Sequence, residues 1–184
     1  MKTLGIDLAG KVDNPSGVAV LEESSIRTDI LNSDEEIIDI CKSQGSKIIA
    51  IDAPLSFPEK GNLREADSEL IRRGHRVLPP TLGGMRPLTE RGIRMARELC
   101  ELEFEVIEVH PRTSGKILFG SESRDEWVSK LREGDWNLSS GFSEHEIDSI
   151  VAAVTGFLYL EDRTEEVGEQ GEGIVIPKNE LKTP

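Results

Sequence analysis

The sequence predicts an α/β fold, a mixed five-stranded sheet with helices on both faces, in the order β-β-β-α-β-α-β-α. Three observations predict it. Near the N-terminus, three short β-like segments are separated by turn residues, the pattern of an antiparallel meander. Two later apolar runs, at 47–54 and 105–109, read as strands set between helical segments. Those helical segments show apolar residues at 3.6-residue spacing, and two of them open with capping boxes.

Each element has its own signal. Residues 2–8 alternate, with Leu4, Ile6 and Leu8 on one side and Thr3, Gly5 and Asp7 on the other. The turn-rich AGKVDNPS leads to a second strand at 17–21, and Ser24-Ser25 to a third at 26–31. Ser33 and Glu36 box the start of a helix whose apolar face is Ile37, Ile38, Ile40 and Cys41 and which stops near Gly45. KIIAIDAP stays apolar until Asp52, as a strand buried on both faces does, and Pro54 and Pro58 end it. A short helix follows at 63–73, then a loop, then a helix from Thr89 to Leu102. EVIEV at 105–109 ends at His110-Pro111; residues 112–141 hold a small helix (DEWVSKL) and a polar loop. Ser143 opens the last helix, which carries Ile147, Ile150, Val151, Val154 and Leu158, and after Tyr159 the chain is acidic and glycine-rich apart from the run IVIP. This order is that of RNase H-like folds; a Rossmann or flavodoxin-like sheet shares it.

At 184 residues the chain fits one domain, residues 1–184, with an insertion at about 55–88 and an acidic tail from about 161. No run approaches the ~18 apolar residues of a membrane span, and the N-terminus passes straight into a strand-like segment, so no membrane association is expected. Cys41 and Cys100 have neither metal-ligand spacing nor a disulfide framework, which points to a reduced, cytoplasmic protein. The net charge of -13 excludes a generic nucleic-acid coat, because such a surface repels phosphate. That sum conceals one basic segment: residues 60–97 carry 9 basic and 4 acidic side chains. The segment is read either as a solvated loop and helix face or as a strip facing phosphates.

The chemistry lies in carboxylates at strand ends. Asp7, Asp52 and Glu108 sit at or near the C-terminal ends of predicted strands, where open α/β sheets place their sites. Asp148 falls in the first turn of the last long helix, beside its apolar face, in a stripe with His145, Ala152 and Thr155. The small Ala152 would let this helix approach the sheet closely. Like charges gathered this way repel unless a cation joins them. An all-oxygen cluster suits magnesium or manganese, so Asp7, Asp52, Glu108 and Asp148 are the candidate metal ligands. Each has a plainer reading: Asp7 as a turn residue, Glu108 as a solvent-facing strand residue, Asp148 as a charge favouring a helix N-terminus. Asp52 fits the plainer reading least, because an unpaired charge at the end of an apolar strand is costly. Gly5 to Lys11 satisfies the spacing of a phosphate-binding P-loop, but Val12 stands where Ser or Thr is needed and Ile6-Asp7-Leu8 reads as strand.

Several ordered blocks resemble a known family. GIDLAG with SGVAVL, IAIDAPLSFP, READ, RVLPP, GGMRPLTERG, EVIEVHPR, HEIDSIVAA and GEGIVIPK are similar, over roughly residues 2–178, to domain-of-unknown-function family 429. Its members are uncharacterised prokaryotic proteins regarded as predicted nucleases of RNase H-like fold, in the superfamily of Holliday-junction resolvases. The resemblance implies that Asp7, Asp52 and Asp148 are the catalytic acids, and that His145 to Asp148 is similar to the resolvases' helix motif. Several such nucleases carry two adjacent helix acids, whereas here the second is Glu144 or absent.

The expected function is divalent-metal-dependent phosphodiester hydrolysis on nucleic acid by a two-metal mechanism, with Asp7 shared between ions. Arg64, Arg86, Arg91 and Arg94 would hold flanking phosphates, with His110 and His145 as accessory groups. The alternatives are a non-catalytic nucleic-acid-binding or regulatory protein on the same scaffold, or a hydrolase of a small phosphorylated metabolite. Few aromatics for base stacking favour the first, and the shortness of the basic strip the second. A homodimer through an exposed sheet edge is compatible with either.

Overall fold

The structure, a computed structural model, describes residues 1–46, 48–134, 136–139 and 141–178. Strands β1 (Lys2–Asp7), β2 (Ser16–Glu22) and β3 (Ser25–Leu31) form the antiparallel meander. Helix α1 (Asp34–Gln44) and strand β4 (Ile48–Asp52) follow, then α2 (Glu65–Arg72), α3 (Met85–Glu101) and β5 (Glu105–Val109). Helices α4 (Pro111–Phe119), α5 (Arg124–Glu133) and α6 (Glu144–Leu160) precede a hairpin of β6 (Thr164–Val167) and β7 (Ile174–Pro177). All seven strands lie in one sheet, ordered β3-β2-β1-β4-β5-β7-β6, in which β1, β4, β5 and β7 run parallel.

The strand alternation explains the layers. Leu4, Ile6 and Leu8 point to the face covered by α1 and α3, in a core with Ile37, Cys41, Met95 and Leu99. Thr3 and Gly5 point to the other face, where α6 lies across β1 and β2 with α4 and α5 beside it. Both expected capping boxes form, Ser33 with Glu36 and Ser143 with Glu146, and Gly45 ends α1 at φ 64°.

Three expectations are corrected. The sheet has seven strands rather than five, because the acidic tail adds a hairpin whose inner strand, IVIP, pairs with β5. Helix α4 replaces part of the expected loop: Pro111 opens it and Gly120, at φ 65°, ends it. Helix α3 begins at Met85 rather than Thr89. Pro87 lies in its first turn, where a missing N–H costs nothing, and the Thr89 hydroxyl donates to the Met85 carbonyl within the helix. Among the described residues, no helix is long and apolar enough to cross a membrane.

Candidate metal centre and its cleft

The centre is assembled by register and by glycine. In the parallel pairing of β1 with β4, Asp7 stands opposite Asp52, so both carboxylates emerge on one face at the C-terminal edge of the sheet. Helix α6 lies on that face closer than any side chain would permit. A Cβ on Gly5 would stand 2.1 Å from the Ser149 carbonyl oxygen, and one on Gly17 would stand 2.1 Å from that of His145. The strand glycines therefore admit the helix at this end. The Thr3 hydroxyl donates to the Ala153 carbonyl at 2.9 Å and pins it. Asp148, near the start of α6, is thereby carried to the strand ends, and carboxylate oxygens of Asp7, Asp52 and Asp148 all lie within 4.8 Å of one another.

Their electrostatics are those of crowded acids. Burial raises the Asp7 carboxyl from 3.8 to about 6, with the charge of Asp148 adding to the rise and the hydrogen bond from His145 opposing it. Asp52 is pushed well above the usual carboxylate range, first by burial and then by Asp7, Asp148 and Glu108. Two side chains offset this crowding. His145 Nδ1 lies 2.7 Å from Asp7 Oδ2. Arg124 of α5 grips Asp148 bidentately, Nε to Oδ1 at 2.8 Å and Nη2 to Oδ2 at 2.5 Å. Each carboxylate oxygen has two lone pairs, so Asp148 retains acceptor sites beside the arginine. Three hard oxygen donors, two of them resisting ionisation, fit a divalent cation whose charge would relieve that resistance.

The remaining candidates fall elsewhere. Glu108 pairs in register with Ile51, not Asp52, and this one-residue offset turns it to the opposite face of the sheet. There Arg64 donates to its two oxygens at 2.7 and 2.6 Å and the Leu55 N–H donates at 2.7 Å, so Glu108 anchors a loop rather than joining the acid trio. Arg64, shared also with Asp67, is a buried structural cation and not a free phosphate holder. Arg91, 1% exposed, donates to Asp34, to the Ala9 and Lys11 carbonyls and to that of Asn32. It locks the β1–β2 connection and is likewise corrected to a structural role. Arg86 and Arg94 are exposed on α3; Arg86 pairs with Glu90 at 3.1 Å and Arg94 donates to the Glu90 carbonyl. His110 bonds Thr113 Oγ1 at 2.8 Å, and burial lowers its pKa to about 4, which makes it a neutral wall residue. Glu144 turns to Arg124 at 3.5 Å and stays outside the trio.

Asp7 and Asp52 open into a cleft of about 700 Å³. Its floor is the sheet edge, and residues 64–88 supply most of one wall. His75, Arg76 and Arg112 line its far end, and none of them figured among the residues expected at the site. Arg112 was within reach of sequence reasoning, since it follows the strand end His110-Pro111; Arg124 carried no local signal at all.

Comparison with known proteins agrees with this architecture. The structure is similar to that of Thermus thermophilus RuvC, at 13% identity and a TM-score of 0.54, covering 88% of this chain and 96% of RuvC. It is similar also to T. thermophilus RuvC in complex with Holliday junction substrate, at 14% identity and a TM-score of 0.53, with the same coverage of both chains. These likenesses show the fold, an RNase H-like α/β sheet. No curated protein matches the sequence. A family model, described as protein of unknown function (DUF429), matches residues 5–135. The chain, from the strand that bears Asp7 through α5, belongs to that family.

Proposed function

We propose that this protein is a divalent-metal-dependent nuclease that hydrolyses phosphodiester bonds, with magnesium or manganese held by Asp7, Asp52 and Asp148. One observation carries the reading: three carboxylates from three separate elements share a space 4.8 Å across at the mouth of a cleft. Divalent ions held by Asp7, Asp52 and Asp148 would supply activation of a water and charge stabilisation at the leaving oxygen of an in-line displacement. The chain's own residues prepare that chemistry. Asp7, central to the pairing and bonded to His145, would be the shared ligand, held in one orientation by the imidazole. Arg124 fixes Asp148 and balances part of the trio's charge. Nucleic acid is the substrate class favoured by the RuvC–Holliday junction likeness. The two unpaired cysteines, one exposed, accord with action in the cytoplasm.

The test is cleavage of labelled single-stranded, duplex and branched oligonucleotides with magnesium or manganese. Wild-type protein should cleave, and Asp7→Asn or Asp52→Asn should lose on the order of a thousandfold in rate, the equivalent of several kcal/mol of lost charge stabilisation. Turnover that persists in EDTA, or in either variant, would overturn the assignment.

A further inference from the structure

The cleft has a second end whose chemistry differs from the acid trio. A smaller hollow of about 150 Å³ adjoins it, and the two share His75, Arg76 and Arg112. Arg76 and Arg112 are exposed and, among the described residues, form no ion pair, unlike Arg64 and Arg91. The carboxylate on this side, Glu122, is held by Lys116 at 3.0 Å. Two free guanidiniums flanking a hollow match a phosphate, which they bind with paired, charge-assisted hydrogen bonds. The cleft also has an aliphatic wall: Ile71 and Leu78, 43% and 58% exposed, line it and present apolar surface.

We propose that this cleft seats an unpaired nucleotide, with a phosphate on Arg76 and Arg112, the base against Leu78 and Ile71, and the backbone running toward the acid trio. A cleft of about 700 Å³ lies in the size range of small-ligand pockets, ~300–1,000 Å³, which admits a nucleotide or two. Two chemically distinct walls match the phosphate and the base of one nucleotide. The assignment rests on the nuclease reading only for the direction in which the strand runs; the phosphate and base sites stand on their own residues.

Binding measured in EDTA separates the two. Fluorescence anisotropy with a 5′-phosphorylated single strand and with its duplex should show the single strand binding at least about tenfold tighter, since only unpaired bases can reach the apolar wall. Arg76→Ala/Arg112→Ala should weaken binding about tenfold or more and flatten the salt dependence by roughly 0.7 in slope, the value for one lost single-strand phosphate contact. Leu78→Asp should weaken it as well, while Arg97→Ala, at an exposed pair with Glu101, should not. Equal affinity for the duplex, or an arginine double variant within twofold of wild type, overturns the proposal. So does displacement by inorganic phosphate as effective as that by a mononucleotide, which would mark a free-anion site. A protein that binds strands in this way yet never cleaves them retains this inference and loses the nuclease one. A protein that cleaves strands with no need of Arg76 or Arg112 does the reverse.

Discussion

Substituting Gly5 by alanine tests how the acid trio is assembled. The added methyl would stand 2.1 Å from the Ser149 carbonyl oxygen and 2.2 Å from the Ala153 amide, both helix backbone with no side chain to swing aside. Restoring 3.0 Å, below which Cβ atoms essentially never approach, requires β1 and α6 to part by about 0.9 Å. Overpacking of this kind costs about 3 kcal/mol, or roughly 6–12 °C in Tm for a chain of this length. Asp148 precedes Ser149, so it retreats with the helix, and misplacing a reacting group by ~1 Å costs about a hundredfold in rate. Gly156→Ala is the internal control. It lies on the same helix, and its methyl would meet Ala50 Cβ and Ile48 Cγ2 at 3.4 Å, an ordinary contact. Calorimetry and manganese titration should therefore show Gly5→Ala losing both stability and metal affinity, with Gly156→Ala within about 1 kcal/mol of wild type. Equal damage from the two, or none from Gly5→Ala, would refute the glycine account.

Other expectations concern charge. Because the Asp7 pKa is raised from 3.8 to about 6 in the folded protein, the stability it contributes is full below pH ~4 and is lost as pH rises through about 6. Asp7→Asn should thus stabilise the metal-free protein at pH 7.5 by up to about 3 kcal/mol and give no advantage at pH 4; a destabilised variant in EDTA at pH 7.5 would contradict this. Arg124→Ala removes the cation facing the trio, so the Tm gain on adding manganese should be larger than in wild type, and a smaller gain would count against the charge balance drawn here. Arg91→Ala empties a fully buried position, takes a donor from the part-buried carbonyls of Ala9 and Asn32, and should cost about 3 kcal/mol in urea unfolding. An unchanged urea midpoint would return Arg91 to the pool of dispensable surface cations.

The parts of this architecture readable from sequence are those that local periodicity decides. Asp7 lies opposite Leu8 and Ile6 in a two-residue repeat, Asp52 closes an apolar strand, and Asp148 borders the apolar stripe of α6. Features that depend on distant partners were not readable. The face of Glu108 depends on a β4–β5 register with no local marker, and one step of register moves a side chain through the sheet. The basic segment was legible as charge but not as fate. Arg64 meets Glu108 and Arg91 meets Asp34, each far along the chain, and both end as buried struts, whereas Arg76 reaches the cleft. The two tail strands were hidden for a related reason: TEEV is a strand only because IVIP pairs with it, and IVIP is a strand only beside β5.

That hairpin has a consequence for truncation. Ile174 of β7 borders the cleft, and Gly168, just past β6, lies so close to α2 that a Cβ there would stand 2.7 Å from that of Ala66. Both follow every acid of the trio in the chain. The brace against α2 therefore comes from a segment that contributes no acid to the trio. Chains truncated after Leu160 should hold the acids together while residues 64–88 lose their support, so that ligand grip depends on the hairpin although acid placement does not.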